Sequence, residues 1–168
     1  MRMATTYRLT PSETVTVRRE DEDLLEVEGR WGPEGKPPPP HFHPAQEEHF
    51  EVLEGTLTAK VEGEERKLST GDTLDIPSGT NHQIWNAGSE PARALWQTRP
   101  GGRTAEWFSA VDALHEGDRK PGPLDFAPLI KQYDDVFRLS AAPQAVMKPA
   151  VAVLGALGRA RGRRRAAC

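Results

Sequence analysis

The sequence is nearly free of cysteine, because the single one is Cys168 among 168 residues. An intramolecular disulfide needs two cysteines, and a zinc site built on thiolates needs several. Both kinds of covalent or metal cross-link are therefore excluded. A compact apolar core has to hold the fold instead.

The sequence also lacks a long hydrophobic run. Its longest apolar stretch, residues 149–158, is far shorter than the ~20 residues that a membrane-spanning helix needs. The first seven residues contain no apolar segment typical of a signal peptide. We therefore expect a soluble, cytoplasmic protein without membrane association.

Neither sign of charge dominates the chain, whose formal net charge is −3 at pH 7. The balance gives no overall attraction to nucleic acid. Residues 159–168 hold five arginines and no acid, which predicts a basic tail. Such an arm can bind phosphates or an anionic membrane, and the alternative that we favour is a disordered, solvated end. The arginines have no aromatic residues between them, so we expect no nucleic-acid partner.

Glycine and proline are abundant, at 15 residues each. In the first hundred residues they separate short runs of β-branched or apolar residues. Short strands at this spacing are typical of an all-β sandwich or barrel. The runs that predict strands are residues 14–17, 24–27, 50–53, 56–61 and 94–96.

Beyond these strands the hydrophobic period becomes helical. Thr104 can cap a first helix, and a second helix carries an apolar stripe from Phe126 to Phe137. A third stripe runs from Val146 to Leu157. We predict that these helices pack on the barrel or on a partner subunit. The predicted division is a barrel over residues 1–102, a helical extension over 103–158 and a basic tail over 159–168.

The first of two spaced patterns contains two histidines and an acid. It runs Gly35, His41, His43, Glu48 and Gly55, with five, one, four and six residues between successive members. Alternate residues of a strand face the same side, so His41 and His43 point together. The turn at residues 44–46 then returns the chain, which lets Glu48 join them from a neighbouring strand.

The second pattern begins fifteen residues after the first. It runs Gly71, Pro77, Gly79, His82 and Asn86, with five, one, two and three residues between successive members. His82 follows a turn and can complete the set. Three imidazoles and one carboxylate that converge would bind Fe(II), Mn(II), Ni(II) or Zn(II). Open coordination positions would remain for water or substrate.

Both patterns resemble, position by position, the two sequence motifs of the cupin superfamily. The resemblance implies a mainly β protein with a single jelly-roll β-barrel, to which the α-helical extension is added at the C-terminal side. Glu47 competes with Glu48 because the family also allows three residues before the acid, but the six-residue step to Gly55 selects Glu48. The resemblance implies one divalent transition metal per chain, with the ligands His41, His43, Glu48 and His82.

Other residues near the motifs are predicted to have supporting roles. His49 should face away from Glu48, and His115 lies near a helix C-terminus, so neither is predicted to be a ligand. Asn86 is expected to hydrogen-bond a turn or a ligand, and Trp85 to face away from the pocket. The predicted pocket lining is Phe50, Val52 and Ile84, with Trp31 and Trp96 as further candidates for the wall.

The family includes enzymes and binding proteins, so the resemblance leaves several functions open. The first is a metal-dependent, dioxygenase-like enzyme acting on a small apolar or aromatic substrate that carries oxygen. In it, Glu48 would be a ligand and, if displaced, a proton acceptor. The alternatives are a metal-dependent cyclase or isomerase and a non-catalytic protein that binds a small ligand. Small cupins commonly pair through their barrels, which predicts a homodimer.

Overall fold

The computed structural model describes residues 4–117 and 119–140, so the third predicted helix and the basic tail lie outside the described residues. All five predicted runs fall on observed strands, with Leu24 just before its strand. The elements are β1 (Thr6–Thr10), β2 (Glu13–Glu20), β3 (Leu25–Trp31), β4 (His41–Phe42), β5 (Glu47–Glu54), β6 (Thr56–Val61), β7 (Glu64–Ser69), β8 (Thr73–Ile76), β9 (His82–Trp85), β10 (Ala92–Arg99), α1 (Thr104–Leu114), α2 (Pro123–Gln132) and β11 (Arg138–Leu139).

The strands form two antiparallel sheets. One has the order β1-β2-β3-β10-β5-β8, and the other has the order β11-β4-β9-β6-β7. Strands that are distant in the sequence thus become neighbours, as where β10 lies between β3 and β5. Two facing antiparallel sheets with these crossovers form a jelly roll. The predicted fold class, mainly β with C-terminal helices, is confirmed.

Side chains that point inward from alternate strand positions fill the space between the two sheets. On β5, Glu48, Phe50 and Val52 point inward and are each at most 3% exposed, while His49 between them is partly exposed. Apolar side chains from both sheets then meet in one core. The buried members of this core cluster are Trp31, Phe50, Val52, Leu57, Ala59, Leu68, Leu74, Ile76, Ile84, Ala92 and Ala94.

Two glycines of the first motif are required by close backbone contacts. Gly55 has a φ of 74°, and a Cβ there would lie 2.4 Å from the carbonyl oxygen of Pro91. Only glycine fits such a position without a backbone shift. The Gly35 N–H donates a 2.7 Å hydrogen bond to the carbonyl of Asn86. The start of the first motif therefore meets the end of the second.

The helix α1 packs on the six-stranded sheet. Phe108 is 2% exposed and contacts a second apolar cluster formed by Val15, Leu25 and Val27. This contact explains the helical apolar period in the sequence. Neither of the described helices is long and apolar enough to span a membrane.

The predicted cap of α1 is wrong. Arg103 occupies the N-cap position, and no described side chain makes a capping hydrogen bond there. Thr104 is instead the first residue of the helix, and its hydroxyl accepts a 2.8 Å hydrogen bond from Gln46 Nε2. The same amide donates to the carbonyls of Pro100 and Gly101. The threonine is thus used to tie the start of α1 to the barrel.

The second helix is shorter than predicted. It ends at Gln132, with Tyr133 as its C-cap, although the apolar stripe continues to Phe137. The chain then extends into β11, which pairs with β4 in the five-stranded sheet. Phe137 directly precedes β11, and its N–H donates a 2.9 Å hydrogen bond to the Tyr133 carbonyl.

Candidate metal centre

Neighbouring strands of the five-stranded sheet bring three histidines together. His41 begins β4, His43 directly follows this strand, and His82 begins β9. His41 and His82 are partners in the strand register. One ring nitrogen from each histidine lies within 4.8 Å of the other two. The three histidines are therefore positioned to hold a metal ion.

Glu48 approaches these histidines from the opposite sheet. Its side chain is buried on β5, and its Oε2 lies 2.9 Å from His82 Nε2. Its Oε1 lies 3.3 Å from His43 Nε2. Glu47, the competing acid, is exposed. The arrangement agrees with alternation along a strand, because only one of two successive residues can face the core.

Hydrogen bonds fix the orientation of all three imidazoles. The Nδ1 of His41, of His43 and of His82 each bonds to a backbone carbonyl, at 2.9, 2.5 and 2.9 Å. A carbonyl can only accept, so each Nδ1 carries a hydrogen and the neutral ring keeps its lone pair on Nε2. Such bonds orient histidine ligands in metal sites. The three accepting carbonyls belong to Pro39, Val136 and Thr80, respectively.

Trp96 holds the carboxylate of Glu48. Its indole N–H donates a 2.9 Å hydrogen bond to Glu48 Oε1, and its ring stacks on Phe50 at a centroid distance of 5.2 Å. The sequence suggested Trp96 only as a wall of the pocket. This polar role was missed because it depends on the register between β5 and β10, which pairs Trp96 with Phe50.

Burial and mutual interactions shift the pKa values of the residues in the centre. Burial, helped by the neighbouring histidines, lowers the pKa of His41 to about 3. Burial alone would raise the pKa of Glu48, but the imidazoles of His43 and His82 lower it well below its ordinary value. Burial also opposes protonation of His43, yet the Glu48 carboxylate outweighs this effect and raises the pKa of His43. A cation between the three histidines and Glu48 is therefore electrostatically favoured.

Two polar atoms of this centre remain unsatisfied. His43 Nε2 and Glu48 Oε2 are buried and make no hydrogen bond of ordinary geometry within the described residues. Buried polar atoms without partners are rare and costly. A metal ion bound by both atoms would satisfy them, and imidazole with carboxylate is a donor set that suits divalent transition metals. The residues present therefore fit such an ion.

The two remaining histidines lie outside this group. His49 points to the other side of β5, where its Nδ1 lies 2.7 Å from Asp75 Oδ1. His115 is the C-cap of α1, is buried, and bonds through Nδ1 to the carbonyl of Val111 at 3.0 Å. Strand alternation and helix position thus explain why neither residue reaches the centre.

The residues predicted to line a pocket pack in the core beside the centre. Phe50, Val52 and Ile84 are at most 9% exposed and share strand faces with Glu48 or His82. Their contact with a substrate stays a prediction. Trp85 is buried but belongs to neither apolar cluster.

Asn86 holds a turn. Its Nδ2 donates to the carbonyls of Glu90 and Trp31, at 2.8 and 3.3 Å, and its Oδ1 accepts from the Gly88 N–H at 2.9 Å. These bonds close the loop between β9 and β10. Asn86 therefore supports the strand that carries His82.

Two contacts to the histidines come from a segment that the motifs do not include. Val136 supplies the carbonyl that accepts from His43, and the Phe137 ring stacks on His41 at a centroid distance of 4.5 Å. Val136 and His43 are 93 positions apart. No local pattern in the sequence signals such a distant contact, and Phe137 was predicted only as part of a helical stripe.

Curated relatives match a limited stretch of this chain. The tetracenomycin polyketide synthase protein TcmJ of Streptomyces glaucescens is 37% identical over 60 residues, which are 36% of this chain and 40% of that protein. The probable oxidoreductase yanE of Aspergillus niger is 43% identical over 53 residues, which are 30% of this chain and 20% of that protein. The chain thus spans less than half the length of either relative.

The fold is shared with solved structures. An RmlC-like cupin from Shewanella frigidimarina superposes with a TM-score of 0.54, covering 61% of this chain and 88% of the other at 15% identity. A family model described as the cupin domain matches residues 29–98, a range that contains both motifs. The family that the two motifs indicated is thereby confirmed for residues 29–98, which match the cupin domain.

Proposed function

We propose that the chain binds one divalent transition metal through His41, His43, Glu48 and His82 and is a metal-dependent, dioxygenase-like enzyme. Its substrate is a small apolar or aromatic molecule that carries oxygen. The observation that carries the proposal is the convergence of one ring nitrogen from each of three histidines, two of which contact the Glu48 carboxylate, with every Nδ1 bonded to a carbonyl.

Each ligand has a defined task in this proposal. The three imidazoles supply neutral nitrogen donors, and Glu48 supplies the one negative charge. When bound, a divalent ion supplies Lewis-acid polarisation of an oxygen-bearing substrate and, if it is redox-active, activation of O₂. Trp96 keeps Glu48 Oε1 turned toward the centre by its hydrogen bond.

Glu48 is also the group that we propose as a proton acceptor. Its lowered pKa keeps it ionised at neutral pH. The ionised carboxylate is the form that accepts a proton from a substrate hydroxyl if a ligand displaces it from the metal. His43 lies 3.3 Å away and has a raised pKa, so it can stabilise the charged carboxylate in the absence of metal.

Aromatic rings near the centre favour an apolar or aromatic substrate. Phe50 and Trp96 stack on each other beside Glu48. The relatives support the same class, because one is named a polyketide synthase protein and another a probable oxidoreductase. Aromatic polyketides and phenols combine rings with oxygen donors, as the proposal requires.

The same set of ligands also supports a second candidate function. A metal-dependent cyclase or isomerase would use the same ligands with the ion as a Lewis acid only, and it would consume no O₂. A non-catalytic protein that holds a small ligand over the metal would turn over no substrate at all. The homodimer, the cytoplasmic location and the division at residues 102 and 158 likewise remain proposals.

The test starts from protein purified without added metal. Its metal content is measured first, and its O₂ consumption is then followed with a panel of phenols. We expect bound transition metal and O₂ uptake with at least one phenol. His43→Ala should lose both, while His49→Ala, a matched histidine on the opposite strand face, should keep both. Substrate conversion without O₂ uptake would contradict the oxygenase and support the cyclase or isomerase. Wild-type protein that contains no metal would overturn the whole proposal.

A further inference from the structure

Residues 133–140, here called the C-terminal strap, cross the metal centre. The strap begins at Tyr133, the C-cap of α2, and contains β11, which pairs with β4. In this pairing Leu139 lies opposite His41, and the Ser140 N–H donates a 3.0 Å hydrogen bond to the Pro40 carbonyl. The strap is therefore an added edge strand beside the first ligands.

The strap determines how His43 is oriented. The carbonyls that bond His41 and His82 come from Pro39 and Thr80, each only two residues before its histidine. The carbonyl that bonds His43 comes from Val136, which is 2% exposed. His41 and His82 are thus oriented by their own loops, whereas His43 depends on a distant segment.

The ring of Phe137 fills the space next to two ligands. It stacks on His41 at 4.5 Å with an interplanar angle of 23°, and it meets His43 edge-on at 6.3 Å. Its other face stacks on Trp107 of α1 at 5.1 Å. Both faces of the ring are covered, so Phe137 offers no free face to a substrate. It instead limits the rotation of His41.

The helix α1 anchors the strap. Trp107 contacts the Tyr133 ring at 5.8 Å, and the Arg103 guanidinium lies 4.5 Å from the centre of the same ring. Arg103 also donates a 2.9 Å hydrogen bond to Asp135 Oδ1. Stacking, a cation–π contact and an ion pair therefore link the strap to the helix that packs on the barrel.

We infer that the C-terminal strap is part of the metal centre, with Val136 and Phe137 as positioning residues for His43 and His41. The inference rests on the proposed metal binding by these histidines. The strap lies outside the matched cupin domain, residues 29–98. Metal affinity in this chain thus depends on residues that the barrel alone does not contain.

The test is a Co(II) titration of the full-length, metal-free protein, followed by its visible absorption spectrum. Phe137→Ala should weaken Co(II) binding about tenfold, the lower end for groups that orient ligands, and should alter the Co(II) spectrum. Phe126→Ala is the matched control, because Phe126 lies on α2 and contacts the ring of His115 rather than the centre. It should change neither quantity.

A second variant keeps the test decisive if the alanine variant does not fold. Phe137→Leu retains apolar bulk without a flat ring, and it should still weaken Co(II) binding about threefold, as expected for loss of a stacking contact. A folded Phe137 variant with wild-type Co(II) affinity and spectrum would overturn this inference but not the proposed function. Wild-type protein that binds no Co(II) would overturn both this inference and the proposed function.

Discussion

The indole N–H of Trp96 donates a 2.9 Å hydrogen bond to Oε1 of Glu48, so a partly buried indole and a buried carboxylate on neighbouring strands share one polar contact. Trp96 also stacks on Phe50 and meets Phe108 of α1 edge-on. The same residue therefore connects the candidate metal centre, the barrel core and the first helix.

Replacement of Trp96 by phenylalanine tests the role of this hydrogen bond. Trp96→Phe keeps an aromatic ring for stacking but leaves Glu48 Oε1 without its donor. We expect the dissociation constant for a divalent metal to rise about tenfold, because groups that orient ligands contribute this much. Isothermal titration calorimetry measures the change. Trp85→Phe, a buried tryptophan in neither apolar cluster, should bind as wild type does, and equal binding by both variants would contradict this role.

The raised pKa of Glu13 predicts that the free energy of unfolding depends on pH, independently of the metal centre. It shares a face of β2 with the buried Val15, and burial raises its pKa to about 7. Between the ordinary pKa of 4.5 and about 7, the folded protein therefore binds more protons than the unfolded chain. Its contribution to stability is greatest at low pH and is lost as the pH rises through about 7.

The matched variant is Glu13→Gln, which cannot ionise. At about pH 8 it should exceed the wild type in free energy of unfolding by about 1–3 kcal/mol, and at about pH 5 the two should nearly agree. Urea denaturation at both pH values measures the difference. A gap of the same size at both values would show that the carboxyl group does not titrate as described.

Alanine substitutions at two glycines distinguish the cost of a close atomic contact from the cost of an unfavourable backbone conformation. Gly55 and Gly63 both have positive φ, at 74° and 89°, but only a Cβ at Gly55 meets the Pro91 carbonyl, whereas Gly63 has open space. Gly63→Ala should cost about 1 kcal/mol, the penalty for the left-handed region. Gly55→Ala should cost about 3 kcal/mol or more, since the backbone must also shift. Equal losses in denaturant unfolding would contradict this difference.

Local patterns in the sequence predicted much of the fold and of the site. The run 56–61 coincides with β6, and the spaced motifs pointed to His41, His43 and His82, which the structure brings together. These features depend on strand alternation and turn-forming glycines, which short stretches of sequence express directly. Such reasoning was sufficient wherever neighbours in sequence decide the geometry.

The features that the sequence did not predict depend on distant partners. Thr104 has the chemistry of a helix cap, but its hydroxyl is occupied by Gln46, which lies 58 positions away. Phe137 continues a helical stripe, but α2 ends at Gln132, and Phe137 lies in the connection to β11, which pairs with β4. In each case contacts between residues that are distant in the sequence outweigh the local preference.

The central claim is that His41, His43, Glu48 and His82 bind one metal ion per chain. It is tested most directly by the metal stoichiometry of the double variant His41→Ala, His82→Ala, measured beside the wild type and His49→Ala after incubation with Mn(II) and removal of free ion. Loss of two of four ligands should abolish stable binding, while the wild type and His49→Ala each retain about one ion per chain. Stoichiometric binding by the double variant would contradict the claim.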